Sequence, residues 1–144
     1  MDLAEEAGAT IARHGAILVT GGLGGAMEAA ARGAKREGGL SVGILPGTSR
    51  SDGNPFLDVA IPTGIGEMRN VIVVRAADGV LAVGGGFGTL SEIAMAAKLG
   101  KPVMTLKSWK LAAEGQPWGI PSVDSVEEAV DALMGLISNR ASRP

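Results

Sequence analysis

The run from Val80 to Gly100 (VLAVGGGFGTLSEIAMAAKLG) constrains the fold more than any other stretch. Val80, Leu81, Ala82 and Val83 have the make-up of a buried strand, and Gly84, Gly85 and Gly86 end it. Past Gly88 and Thr89 the period changes. Leu90, Ile93, Ala94 and Ala97 recur at helical spacing, and Gly100 closes the helix. A strand that runs through glycines into a helix N-terminus builds an anion site. The first helical N–H groups have no intrahelical partner, and the helix dipole adds partial positive charge there. Glycines let a phosphate approach the backbone, the Thr89 hydroxyl adds a donor, and Glu92 lies one turn into the helix, within reach of a sugar beyond the phosphate. The plainer alternative is that the glycines only turn the chain and pack helix on strand. A carboxylate at fixed offset in a helix of Ala, Leu, Ile and Met favours phosphate binding.

A second unit of the same kind lies upstream. Ala16 to Thr20 (AILVT) reads as a strand, Gly21, Gly22, Gly24 and Gly25 form the turn, and a helix runs from Ala26 to about Glu37. Glu28 sits in the first turn of that helix. A carboxylate is comfortable there but repels a phosphate, so this loop suits a different ligand group.

Around these units the chain alternates helix and strand. Residues 2–14 form an amphipathic helix with Leu3, Ala7 and Ile11 inward; Gly15 ends it and His14 stabilises the end. Ser41 to Leu45 is a strand, and the turn-rich Pro46 to Pro55 is a loop of the kind that lines sites, with Arg50 and Asp52 read as solvated. Leu57 to Ile61 is a short strand. The stretch from Glu67 to Asp78 is ambiguous: Val71 to Val74 has strand propensity, and Asp78-Gly79 suits a hairpin into Val80. The surrounding alternation favours a helix from Gly66 to Ala77, which is the expectation adopted. Lys101 to Leu106 is a further strand. Lys107 to Ser122 is a loop carrying Trp109 and Trp118, read as a packing flap rather than a lid. Asp124 or Ser125 caps a last helix over 126–138, with Val126, Val130, Leu133, Met134 and Ile137 inward.

Composition bounds the function classes. The 144 residues fit one domain, and the 23 glycines gather at strand ends. A formal net charge of −2 offers no basic face to nucleic acid. With no cysteine and one histidine, neither a disulfide framework nor a His or thiolate metal cluster is expected. No signal peptide or apolar run of spanning length appears, so a cytoplasmic protein with no membrane partner is expected.

The segment GGGFGTLSE (84–92) resembles the PGGxGTxxE signature of the LOG (LONELY GUY) proteins, long mislabelled lysine decarboxylases. The Gly21–Gly25 loop with Met27 is similar to that family's GGGxxGxMG loop, and Glu67 to Asn70 matches its MxxRK segment. The resemblance runs from about Ala16 to Leu106 and is closer to a LOG-related branch that includes molybdenum-cofactor carrier proteins. It implies an α/β fold: a three-layer, Rossmann-like parallel sheet flanked by helices, as a single domain over 1–144. LOG-type domains open with a strand and a Gly/Ser turn, whereas this chain starts at the first helix. The expected sheet therefore lacks its usual first strand, through N-terminal truncation or with a partner's strand in its place. The resemblance also implies a homodimer or larger homo-oligomer.

For the site, the resemblance implies phosphate or nucleotide binding by Gly21, Gly22, Gly24, Gly25 and Met27 in one loop. In the other it implies Gly85, Gly86, Phe87, Gly88 and Thr89. Arg69 takes the position of the family's catalytic arginine and Glu92 that of its catalytic glutamate; Arg75, Asn70 and Glu28 are secondary candidates. The chemistry would suit these types. Cleaving a ribosyl C–N bond builds positive charge on the sugar, which a carboxylate stabilises, and an arginine keeps that carboxylate ionised or neutralises the phosphate. The pair would equally serve as a structural brace.

Two functions follow. One is a binding or carrier protein for a phosphorylated small molecule, a nucleotide or a pterin phosphate such as the molybdenum cofactor, with no cofactor required for its own chemistry. The other is a phosphoribohydrolase acting on nucleoside 5′-monophosphates through Arg69 and Glu92. Asn70 in place of lysine, Gly84 in place of proline and the Glu28 carboxylate favour the carrier. A decarboxylase is disfavoured because Lys98, Lys101 and Lys107 sit in contexts that need no pyridoxal phosphate. A dinucleotide oxidoreductase lacks the acidic ribose partner, since Leu45-Pro46 occupies its place.

Overall fold

The computed structural model describes residues 2–115 and 119–141, so Trp118 lies outside the described residues. The chain forms two compact units, one running to Ala77 and the other from Asp78. The α/β class with parallel strands, expected from the sequence, is what the chain adopts; the strands form two three-stranded sheets.

In the first unit, α1 (Leu3–Arg13) starts at Asp2, whose carboxylate accepts the Ala4 N–H at 3.0 Å. It ends at His14, whose Nδ1 is 2.9 Å from the Thr10 carbonyl oxygen, and Gly15 takes the left-handed turn (φ 75°) that stops the helix. Strands β1 (Leu18–Thr20), β2 (Ser41–Leu45) and β3 (Val59–Pro62) pair in parallel in that order. Between the first two runs α2 (Ala26–Arg36). Leu18, Ala30, Ala31 and Ala34 form one core cluster, with Ile11, Ala12, Phe56 and Leu57 packed against it.

The fit of α1 on α2 is backbone against backbone. A Cβ added to Gly8 would lie 1.9 Å from the Ala30 carbonyl oxygen, and one added to Gly33 would lie 2.0 Å from that of Glu5. Ala4 and Ala7 of α1 and Ala31 and Ala34 of α2 are also buried. At its rim Glu5 bridges to Arg32 at 3.2 Å and to Arg36, pairs too exposed to contribute more than a little.

The ambiguous stretch is helical. A 3₁₀ turn over Gly66–Met68 leads into α3 (Arg69–Ala76). Val73 and Val74 are buried, and burying two β-branched side chains outweighs the few tenths of a kcal/mol that they cost in helix propensity.

In the second unit β4 (Val80–Val83), β5 (Val103–Leu106) and β6 (Ser122–Val123) pair in parallel, with β5 central. All four residues of β5 are buried, as a strand covered on both faces requires, whereas in β4 only Ala82 is. The expectation that Val80 to Val83 is wholly buried is corrected by its place at the edge of this sheet. Helix α4 (Phe87–Lys98) begins three residues earlier than its periodicity suggests, because Gly86 already has the extended conformation of an N-cap (φ −76°, ψ 164°). Its inward face is Ile93 and Ala96; Ala94 and Ala97, expected inward, are exposed. Helix α5 (Val126–Ala141) is capped by Ser125, whose hydroxyl accepts the Glu128 N–H at 3.2 Å. Val126, Ala129, Val130 and Leu133 are its buried side chains. Among the described residues no helix is long and apolar enough to cross a membrane.

The close helix contact makes a prediction. Gly33→Ala drives a methyl group into a backbone that cannot retreat alone, so urea unfolding is expected to show a loss of about 1–3 kcal/mol. An unchanged midpoint would mean that α1 and α2 pack less closely than described.

Candidate functional site

In the first unit the strand-to-helix turn is held in place from three sides. Gly21 and Gly22 are buried while Gly24 and Gly25 are exposed. The Gly22 N–H donates to Thr20 Oγ1 at 3.1 Å. Gly22 (φ 77°) also lies so close to β2 that an added Cβ would meet Leu45 Cδ2 at 2.4 Å. From the Pro46–Pro55 loop, Asn54 donates its own N–H to the Gly22 carbonyl at 2.9 Å and its amide nitrogen to that of Leu23 at 3.0 Å. Its side-chain oxygen accepts the Phe56 N–H at 3.0 Å, so a single Asn both turns its loop and ties it to the glycines. Sequence reasoning weighed Arg50 and Asp52 in this loop and missed Asn54; the signal was Asn before Pro, a turn-forming pair. Arg50 and Asp52 are exposed.

Arg69 holds the third side. It is 7% exposed at the start of α3, and its guanidinium donates to the Ile44 carbonyl at 3.0 Å, the Gly21 carbonyl at 3.5 Å and Asn70 Oδ1. The carbonyls at the C-terminal ends of β1 and β2 thus share one buried cation. Met27 belongs to the same cluster, since a Cβ on Gly21 would meet both Met27 Sδ at 2.8 Å and Arg69 at 2.7 Å. Asn70 supplies an acceptor beside the guanidinium where the LOG signature has lysine, which would place a second cation there. Arg75 and Glu67 are exposed.

The N-terminus of α2 has no side-chain cap, and Gly25 precedes it with φ 64°. Glu28 stands in its first turn, half-buried. That carboxylate already answers the helix dipole, and it disfavours a second anion.

In the second unit β4 ends at Gly84 (φ 80°), whose N–H donates to the Leu106 carbonyl at 3.4 Å. Gly85 and Gly86 follow, and α4 starts at Phe87 with no side-chain cap and no acidic residue in its first turn. Space around the turn is open: among the described residues nothing lies within 4 Å of a Cβ added at Gly84, Gly85 or Gly86. Gly88 and Thr89 fall in the first helical turn, and Glu92 lies half-buried in the second. Ser91 Oγ donates to the Gly88 carbonyl at 3.0 Å. Trp109, read from sequence as part of a packing flap, donates its indole N–H to the Gly86 carbonyl at 3.0 Å. Nothing in the sequence announces that bond.

The buried guanidinium makes a prediction. Arg69→Met strands the Ile44 and Gly21 carbonyls, and urea unfolding is expected to show a loss of about 2–6 kcal/mol, at roughly 1–3 kcal/mol for each stranded group. Unchanged stability would remove the bracing role.

The molybdenum cofactor binding protein of the phototrophic bacterium Rippkaea orientalis superposes with a TM-score of 0.86 at 38% identity, covering 94% of this chain and 86% of that one. The molybdenum cofactor carrier protein of Chlamydomonas reinhardtii superposes with a TM-score of 0.81 at 35% identity, covering 94% and 87%. An uncharacterized protein of Archaeoglobus fulgidus is 51% identical over 105 residues, 73% of this chain and 69% of that protein. The sequence model of the SLOG cluster4 family matches residues 1–130, which bears out the LOG-type resemblance carried by Gly84 to Glu92. The chain belongs to the SLOG cluster4 family.

Proposed function

We propose that this chain binds a phosphorylated small molecule, a pterin phosphate of the molybdenum-cofactor type, and holds it without turnover. The observation that carries the reading is the uncapped N-terminus of α4, reached through three glycines with open space around them and with no acid in its first turn. Such an end offers backbone N–H groups and dipole charge to one phosphate. Gly85, Gly86, Phe87, Gly88 and Thr89 would hold the phosphate. The Gly21–Gly25 loop, with Glu28 beside it, suits a neutral or cationic group instead. The likeness to a molybdenum cofactor binding protein at 38% identity and to a molybdenum cofactor carrier protein at 35%, over nearly the whole chain, supports the pterin as the remainder of the ligand. The cofactor is cargo in this reading, and no bond-making step is asked of the chain.

A phosphoribohydrolase is the second reading, favoured by Glu92 in the second turn of α4 and by Arg69 at its LOG-type position. Against it stand Arg69's hydrogen bonds to the strand-end carbonyls and Asn70 in place of lysine. It requires ribose 5-phosphate release from nucleoside 5′-monophosphates that disappears in Glu92→Gln. The carrier reading also places the chain in the cytoplasm as a single working domain that assembles into a homo-oligomer. Exposed Ile65, Met68 and Ile72, spaced three and four residues apart, support an assembly face.

Gly86→Asp separates site from fold. Gly86 already has N-cap geometry and room for a side chain, so an aspartate there caps α4 and raises stability by a few tenths of a kcal/mol. The same carboxylate occupies the phosphate's place; two anions ~4 Å apart near a protein surface repel by about 4 kcal/mol. Anaerobic titration with the molybdenum cofactor is therefore expected to show at least tenfold weaker binding in a variant that melts no earlier. Undiminished affinity would remove α4 as the phosphate site.

A further inference from the structure

The second unit leaves an aromatic side chain open to water. Phe87 is 82% exposed, among the large apolar side chains the structure leaves most open to water. Its ring does not stand alone. The Trp109 ring lies beside it with centroids 5.9 Å apart and planes inclined by 30°. The indole cannot swing away freely, because its N–H donates to the Gly86 carbonyl. That bond spends the only polar group of the indole on the backbone and leaves the ring for apolar contact.

The chain leading to Trp109 is shaped to put it there. Lys107, directly after β5, has φ 49°, a left-handed conformation taken by no other non-glycine residue among those described. A lysine gains nothing intrinsically from that conformation, and such residues gather where a site demands them. Next to it, Ser108 Oγ is buried with no hydrogen-bond partner among the described residues. Buried polar groups of this kind call for an explanation, and a ligand atom is one. The aromatic pair, the turned-out lysine and the unsatisfied hydroxyl all lie beside the glycine turn that opens α4.

We propose that Phe87 and Trp109 form a stacking wall for the planar heterocycle of the ligand, with the Lys107 ammonium supplying charge beside it. The inference rests on the phosphate-binding role of α4 and adds to it the recognition of a flat, fused ring, pterin or purine. Phe87 links the two parts: its backbone lies in the helical turn that faces the anion, and its ring begins the wall. An aromatic wall tolerates any flat ring, so discrimination between pterin and purine belongs to other residues.

The experiment compares three probes by titration under anaerobic conditions: the molybdenum cofactor, guanosine 5′-monophosphate and ribose 5-phosphate, the last carrying phosphate without a ring. Wild type is expected to bind at least one ring-bearing probe more tightly than ribose 5-phosphate. Phe87→Ala and Trp109→Ala should each weaken the ring-bearing probe by roughly ten- to a hundredfold, well beyond any loss they cause for ribose 5-phosphate. Trp109→Phe, which keeps a ring but not the indole N–H, should recover most of the loss, and circular dichroism checks that each variant is folded. Equal affinity of wild type and both alanine variants for the ring-bearing probe would overturn the wall while leaving phosphate binding intact. A shift in oligomeric size with unchanged affinity would make the pair a contact between copies of this chain and likewise overturn it. If wild type binds none of the three, the wall falls together with the phosphate site.

Discussion

A helix cannot satisfy its own first N–H groups, and both strand–glycine–helix turns of this chain leave that task undone by side chains. Gly25 and Gly86 stand where most helices place Ser, Thr, Asp or Asn, and neither α2 nor α4 has a capping side-chain hydrogen bond. The loss is small but real, since glycine gives up a few tenths of a kcal/mol against a good side-chain cap. The chain forgoes it twice, each time just past the C-terminal end of a parallel strand, and so leaves those N–H groups without a side-chain cap. The two ends then diverge by charge. Glu28 answers the α2 dipole internally, whereas the first turn of α4 carries no acid.

Glycine turns are floppy unless held, so the supports matter as much as the turns. In the first unit the support is polar and buried: Arg69 and Asn54 put their donors on the carbonyls of Gly21, Gly22, Leu23 and Ile44. In the second it is aromatic and half-exposed, Trp109 on the Gly86 carbonyl. One rigidifies a loop from beneath. The other leaves a ring surface beside an open turn.

Much of this was legible in the residues. Ser41 to Leu45 and the start of α2 at Ala26 fall where composition and glycine punctuation put them. The helix over Val71 to Val74 was not decidable locally, because β-branched residues favour strand and only burial of Val73 and Val74 reverses the preference. Periodicity misplaced the inner face of α4 by a residue or two, as happens when alanines are so common that many faces look apolar. Asn54 and the Trp109 bond were invisible for a different reason: each joins the chain to a residue more than twenty positions away, and no local pattern encodes that pairing. Arg69 was found by likeness of motif, yet its burial and its carbonyl partners emerge only from the fold.

What distinguishes a carrier from a hydrolase is the state in which the ligand leaves. The most direct measurement loads the protein anaerobically with molybdenum cofactor, removes free ligand, and mixes the complex with a cofactor-free molybdoenzyme. The account predicts that the acceptor gains activity in proportion to the cofactor supplied, with the pterin recovered intact. Cofactor that is lost before mixing, or that returns cleaved, would contradict it.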